Sequence, residues 1–210
     1  MPTYQNAREF LNAVVQHYRQ LASYSDTGKS HRPNCRRERL CEFRTDYRAP
    51  DNFRFEFASP HPSRRLRSHR ARVVVGTYYA KPYFFDQSYW GETTMEAPDS
   101  LGLAVAGATG ISSGTAHTIG ALLFAEVGGF TLMDLRRPRF RKDRLVDGVR
   151  CKAISGMHPR GGRFTAWFGA EDLLLRRVVR LRFRSEELRT NVSSGHVLPD
   201  ELFGPPRVEA

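Results

Sequence analysis

Lysine is nearly missing from this chain. Lys29, Lys81, Lys142 and Lys152 are the only four among 33 basic residues, so the formal net charge of +11 is almost wholly arginine. Cysteine is scarce as well. Of the three present, Cys35 and Cys41 can bridge in an oxidising compartment, leaving Cys151 over, and an odd count fits a reducing compartment equally well. No window reaches the roughly 18 consecutive apolar residues that a membrane-spanning helix needs. Met1 to Thr27 lacks the apolar core of about 7–15 residues and the small-residue cleavage site of an export signal. Taken by itself the chain therefore reads as soluble and cytoplasmic, and a mature exported chain would read the same. His31, Cys35 and Cys41 lack the paired short spacing of a structural zinc site, and no Lys-Ser/Thr completes a phosphate loop after Gly110 and Gly114. Neither metal nor cofactor is expected.

With 210 residues the chain can build one well-buried core without needing a second domain. Its hydrophobic fraction of 40% and charged fraction of 26% are those of a globular protein and not of a disordered one. The positive balance admits two readings. It attracts an anionic partner such as a phospholipid surface, an acidic protein or nucleic acid, or it reflects arginine-rich codon usage, because the arginines are scattered. The denser groups are Arg36 to Arg39, Arg64 to Arg72, Arg136 to Arg144 and Arg176 to Arg184.

Residues 4–22 carry Ala7, Phe10, Leu11, Val14, Tyr18, Leu21 and Ala22 at three- and four-residue spacing, which predicts a helix with Thr3 as N-cap. The period then switches to two. Cys41–Tyr47 and Phe53–Phe57 alternate around an Ala49-Pro50-Asp51-Asn52 turn and predict a hairpin, with Phe53, Phe55 and Phe57 on one face. Further strands are expected at Arg72–Tyr79, Tyr83–Thr94, Phe130–Leu135, Val149–Gly156, Phe164–Phe168 and Leu173–Phe183, with turns at Asp147-Gly148 and His158–Gly162.

Between them Ser100 to Phe124 is apolar, rich in small residues, and holds a single titratable side chain, His117. It suggests a plug or lid over a sheet, with Ser113 to Phe124 as the better helix. The class is α+β, a mostly antiparallel sheet with helices at the start and middle of the sequence.

Gly110-Ile111-Ser112-Ser113-Gly114 matches the nucleophile elbow of hydrolases, but no alternating β/α pattern supplies the parallel sheet that motif requires. His117, set among small apolar neighbours, reads as a hydrogen-bonded interior histidine and not as a general base. No catalytic residue is therefore assigned, and the protein is not expected to be an enzyme.

The order of helix, meander, central plug and second meander resembles the LolA/LolB-like lipoprotein carrier superfamily, and within it the outer-membrane lipoprotein-sorting homologues. Leu21–Gly28 resembles the helix exit and first strand, Phe43–Phe55 the first hairpin, and Ser100–Phe124 the plug. Val146–Cys151 with Ile154–Gly156 resembles the late hairpin. Phe164–Phe168 and Leu173–Val178 resemble the last strands, and Leu198–Phe203 the closing segment. The resemblance implies one domain over 1–210: helix 1–24, first meander 25–98, plug 99–126, second meander 127–190 and extended tail 191–210.

It further implies a strongly curved, open antiparallel half-barrel whose concave face is covered by helices. The implied setting is periplasmic or cell envelope, the implied cargo a lipid or lipoprotein acyl chain, and the implied state a monomer. An acyl chain gains about 0.8 kcal/mol per buried CH₂, so an apolar cavity suffices to hold it. Phe53, Phe55, Phe57, Tyr79, Phe84, Trp90 and Trp167 are the expected wall, and Leu103, Leu122, Leu123 and Leu174 the expected cover. Nucleic acid is not expected, because strand alternation turns the phenylalanines inward, away from any base. The alternative reading is a regulatory interaction domain of the same fold that docks an anionic membrane surface or an acidic or membrane-bound protein.

Overall fold

A computed structural model describes residues 4–34, 37–61, 63–66, 68–112, 114–129 and 131–207. The first helix, α1, spans Ala7–Arg19. It starts later than the apolar stripe suggests because the Asn6 side chain caps it, accepting from the backbone N–H groups of Arg8 and Glu9 at 3.0 and 2.9 Å. Thr3, the expected cap, lies outside the described residues.

Eleven strands follow: β1 (Ser23–Asn34), β2 (Arg37–Arg48), β3 (Asn52–Pro60), β4 (Arg70–Tyr78), β5 (Lys81–Gln87), β6 (Thr93–Glu96), β7 (Arg136–Val146), β8 (Val149–His158), β9 (Gly162–Gly169), β10 (Leu175–Arg180) and β11 (Ser185–Ser194). They form one antiparallel sheet ordered β6-β5-β4-β3-β2-β1-β11-β10-β9-β8-β7. The first and last strands of the chain thus meet in the middle, with Tyr24 opposite Ser194 and His31 opposite Glu186. β6 and β7 stand at opposite edges, so the half-barrel is open.

Two helices fill the connection between those edges. Ser100 caps α2 (Leu101–Ile111), its hydroxyl accepting from the Leu103 N–H at 3.2 Å. Ser112, which sequence placed in a possible nucleophile elbow, is fully buried and accepts from the Ala116 N–H at 3.2 Å, closing the first turn of α3 (Thr115–Leu123). A hydroxyl committed inside a helix junction cannot meet a substrate.

Three sequence expectations change, and one strand appears that none foresaw. Within Phe130–Leu135 a 3-10 turn replaces the strand, at Leu132–Asp134, because the Thr131 hydroxyl donates to Asp134 at 3.0 Å and folds the segment back (Phe130 itself lies outside the described residues). β7 was hidden by its arginines, since nearly all of its side chains are exposed and Phe140 meets α1 only edge-on, at Phe10. The expected Tyr83–Thr94 strand divides into β5 and β6 at the Ser88–Gly91 turn. Leu173–Phe183 stops as a strand at Arg180 and turns back into β11, which reaches Ser194 and takes in the start of the expected tail. Beyond it the chain lies back on the outer face of β2–β5. Phe203 is fully buried, the Arg48 guanidinium stands 5.3 Å from its ring, and the Tyr83 hydroxyl donates to its carbonyl at 3.0 Å.

Candidate binding face under the helices

Alternation gives the sheet two chemically different faces. On the concave side Phe43, Phe53, Phe55 and Phe57 form a row, with stacked rings 6.2 Å (Phe43–Phe55) and 6.4 Å (Phe55–Phe57) apart. Val73 and Val75 extend it on β4. Phe124, at the exit of α3, meets Phe53 and Tyr47 edge-on at 5.6 and 5.5 Å.

The cover is small and uncharged. α2 presents Ala104, Val105 and Ala108, and α3 presents Ala116, Ile119, Leu122 and Leu123. Gly107 rests on Phe84: a β-carbon there would stand 3.2 Å from the ring, which would have to give by a few tenths of an ångström. α1 covers the other half of the sheet, with Phe10 packed on Phe168 at 5.8 Å.

Of the expected wall and cover, Phe53, Phe55, Phe57, Phe84, Leu122, Leu123 and Leu174 meet on this concave side. Four do not. Tyr79 is 66% exposed at the tip of the β4–β5 turn, where its φ of 48° points it outward. Trp90 is 62% exposed in the β5–β6 turn, leaning on His61 and His69. Leu103 sits on the outward side of α2. Trp167 falls between Ala166 and Phe168, which point inward, and so joins Val146, Cys151 and Ala153 on the convex face. Sequence reasoning missed Phe43, Tyr47 and Phe124. The parity of Cys41–Tyr47 could have supplied the first two, whereas Phe124 depends on where α3 ends.

The row of phenylalanines stops at the central strands, where the concave face becomes ionic. Arg189 and Glu187 of β11, Asp26 of β1 and Arg180 of β10 are all buried. Arg189 pairs with Asp26 and, at 3.1 Å, with Glu187, which also receives Arg180 and the Thr118 hydroxyl (3.1 Å) from α3. The Tyr24 hydroxyl donates to Asp26 at 2.5 Å. Burial alone would raise the Glu187 pKa, but the two guanidiniums reverse this and hold it below the usual carboxylate range. Two anions meet two cations, so the seam is neutral. The Arg189 guanidinium also lies 4.7 Å from the Phe43 ring centre, where the aromatic row ends.

His117 ties the cover together. Its Nδ1 meets the Thr109 hydroxyl of α2, and Gly129 (φ 105°) packs against its ring so closely that a β-carbon would stand 3.0 Å from Nε2. Burial pushes its pKa below the ordinary histidine value.

At the end of the row where α2 begins, a cleft of about 300 Å³ opens between the β2–β3 and β4–β5 turns and the cover, with Asp51, Pro82, Leu101, Phe124 and Glu126 in its lining. That is the low end of small-molecule site volumes, and Phe124 forms its inner wall. Among the described residues no group of three or more His, Cys, Asp and Glu side chains could hold a metal ion, and no helix is long and apolar enough to cross a membrane. Cys35, part of the considered zinc and disulfide pairings, lies outside the described residues.

No protein-family model and no curated protein matches the chain. Solved structures do. MucB matches with a TM-score of 0.56 at 11% identity, over 96% of this chain and 63% of MucB. The Pseudomonas aeruginosa MucA/MucB complex gives 0.53 at 13% identity, over 95% of this chain and 61% of the other. An uncharacterized conserved protein from Thermus thermophilus gives 0.52 at 9% identity, over 96% of this chain and 94% of the other. The chain thus spans a little over three fifths of MucB. At such identities the likeness is one of architecture alone: an open antiparallel sheet with helices over one face.

Proposed function

We propose that the protein is a non-enzymatic carrier or sensor that holds the acyl chain of a lipid or lipoprotein between the phenylalanine row and the α2–α3 cover. One observation carries this reading. The wall is a continuous apolar surface, and the cover resting on it is built of small uncharged residues that make no ion pair with it. Lifting such a cover from the phenylalanine row breaks dispersion contacts, and the cost beyond them is a few hydroxyl hydrogen bonds at the seam, Thr118 with Glu187 and Arg180 and Thr115 with Ser30. An acyl chain in its place restores the same apolar burial. The cleft at Phe124 is the natural mouth, since it opens where the cover begins and ends on the row.

The envelope setting implied by the family resemblance belongs to this proposal too. A second reading, docking of a protein partner, is favoured by the fold likeness to MucB, which has been solved in complex with MucA.

The test is titration with a fluorescent fatty acid. The parent chain should show saturable uptake. Phe55→Glu, which places a charge in mid-row, should abolish it, and Phe124→Ala, at the mouth, should change affinity without loss of fold by circular dichroism. Saturable uptake unaltered by both changes would place the ligand elsewhere.

A further inference from the structure

The arginines that look scattered along the sequence are gathered by the fold. Residues 136–184, which supply β7–β10, hold fifteen Lys and Arg against four Asp and Glu, a formal +11. That equals the net charge of the whole chain, so the remaining residues balance to zero.

Part of this excess lies on the convex face, opposite the helices. A cleft of about 460 Å³ runs between β7 and β9, lined by Arg141, Lys142, Arg144, Arg163, Trp167 and Leu181, with no carboxylate in its lining. Ser155 in its floor accepts from Arg141 at 2.7 Å, which fixes that side chain across the floor. Arg177 stacks on Trp167 at 4.8 Å and is neutralised by Glu186 at 2.8 Å, so it covers the indole without adding net charge.

We infer that this convex face docks on an anionic phospholipid surface. Three observations select that partner. The cleft cations stand on β7 and on β9, either side of β8 and about 10 Å apart, a spread that suits a plane better than one line of peptide. Peptide addition at the β7 edge is obstructed, because the ladder shifts register between Arg136 and Arg139 and between Arg141 and Arg144, and Pro138 lacks a donor. Base stacking is obstructed as well: Trp167 is only 8% exposed, and Arg177 covers it. Leu181, 55% exposed at the rim, supplies an apolar contact among the headgroups. The inference does not depend on the carrier reading, since none of these side chains faces the concave side.

The experiment is co-sedimentation with phosphatidylcholine vesicles, with and without phosphatidylglycerol, at low and high salt. The parent chain should bind only the anionic vesicles and lose them in salt. At roughly fivefold per exposed cation, the triple variant Arg141→Gln, Arg144→Gln, Arg163→Gln should bind about a hundredfold more weakly. A control triple of exposed cations from the other half, Arg65→Gln, Arg70→Gln, Lys81→Gln, should stay within about twofold of the parent, the convex cleft being intact. Equal binding by the parent and the first triple would overturn the inference, as would binding indifferent to lipid charge. Capture of polyglutamate with no vesicle binding would also overturn it, in favour of an acidic protein. Fatty-acid uptake measured without vesicles reports on the carrier reading separately and should be unchanged in the first triple.

Discussion

The two halves of the sheet use the same residue, arginine, to opposite ends. Across β2–β5 the outward arginines have carboxylates beside them. Arg44 meets Asp46 at 2.6 Å, Arg70 meets Glu42 at 2.7 Å, and Glu56 is shared by Arg72 and Arg54 at 2.7 and 3.2 Å. Across β7–β9 the cleft cations Arg141, Lys142, Arg144 and Arg163 have no carboxylate in the same lining. One half pairs its outward arginines, while the cleft of the other holds four cations with no carboxylate in its lining. Net charge alone does not reveal this, because it averages a neutral half with a strongly positive one.

The buried seam separates the halves and is where the comparison breaks most severely. Replacing Arg189 with Ala leaves Asp26 and Glu187 facing each other without their shared cation. Loss of one partner from a buried network costs about 3–5 kcal/mol, so the variant should unfold at markedly lower urea concentration, if it folds at all. Next comes Gly28 of β1, the position across which the Phe43 ring lies. A β-carbon there overlaps both that ring and the Leu188 carbonyl. Gly28→Ala should therefore cost about 1–3 kcal/mol in chemical denaturation and loosen the near half at its join.

Acidification should act on the cover and the seam at different pH. The His117 pKa lies below its unfolded value because burial disfavours the charged form, so its contribution is complete above about 6.5 and fades as pH falls through the folded value. Glu187, also lowered, contributes fully above the ordinary glutamate value and is lost only at lower pH. Melting temperature should decline first between neutral and mildly acidic pH, and His117→Gln should shrink that first decline, to which buried His158, also lowered by burial, contributes the remainder, while leaving the second. The smallest effect separates the two outer faces. Arg72→Gln removes a partner of Glu56 and should cost up to about 1 kcal/mol, whereas Arg144→Gln should leave stability within about 0.5 kcal/mol.

Much of this organisation was legible in the residues, for identifiable reasons. Phe53, Phe55 and Phe57 alternate with Arg54 and Glu56, so their shared face follows from the pleat alone. Ser100 stands ahead of an uncharged run and caps the helix there. What could not be read was long-range. Trp167 looks like any strand aromatic until the parity of Phe164 and Phe168 fixes its face. Tyr79 and Trp90 sit at turns whose tips depend on where β4 and β5 end. β7 carries no apolar stripe because almost all of it is exposed and Phe140 meets α1 only edge-on, so no periodicity marks it. The charge excess was visible as a count, but the strands between Arg141 and Arg163 had to be paired before it became a surface. The seam was the least legible, because Asp26 and Arg189 are separated by most of the chain and meet only because β1 pairs with β11.

The central claim is that apolar cargo lodges between the phenylalanine row and the small-residue cover, and native mass spectrometry of the protein purified from bacteria tests it most directly. The account predicts a population heavier than the polypeptide by the mass of a lipid, released on collisional activation and missing from Phe55→Glu. Bare polypeptide mass in every preparation, with no adduct even after incubation with lysophospholipid, would contradict it.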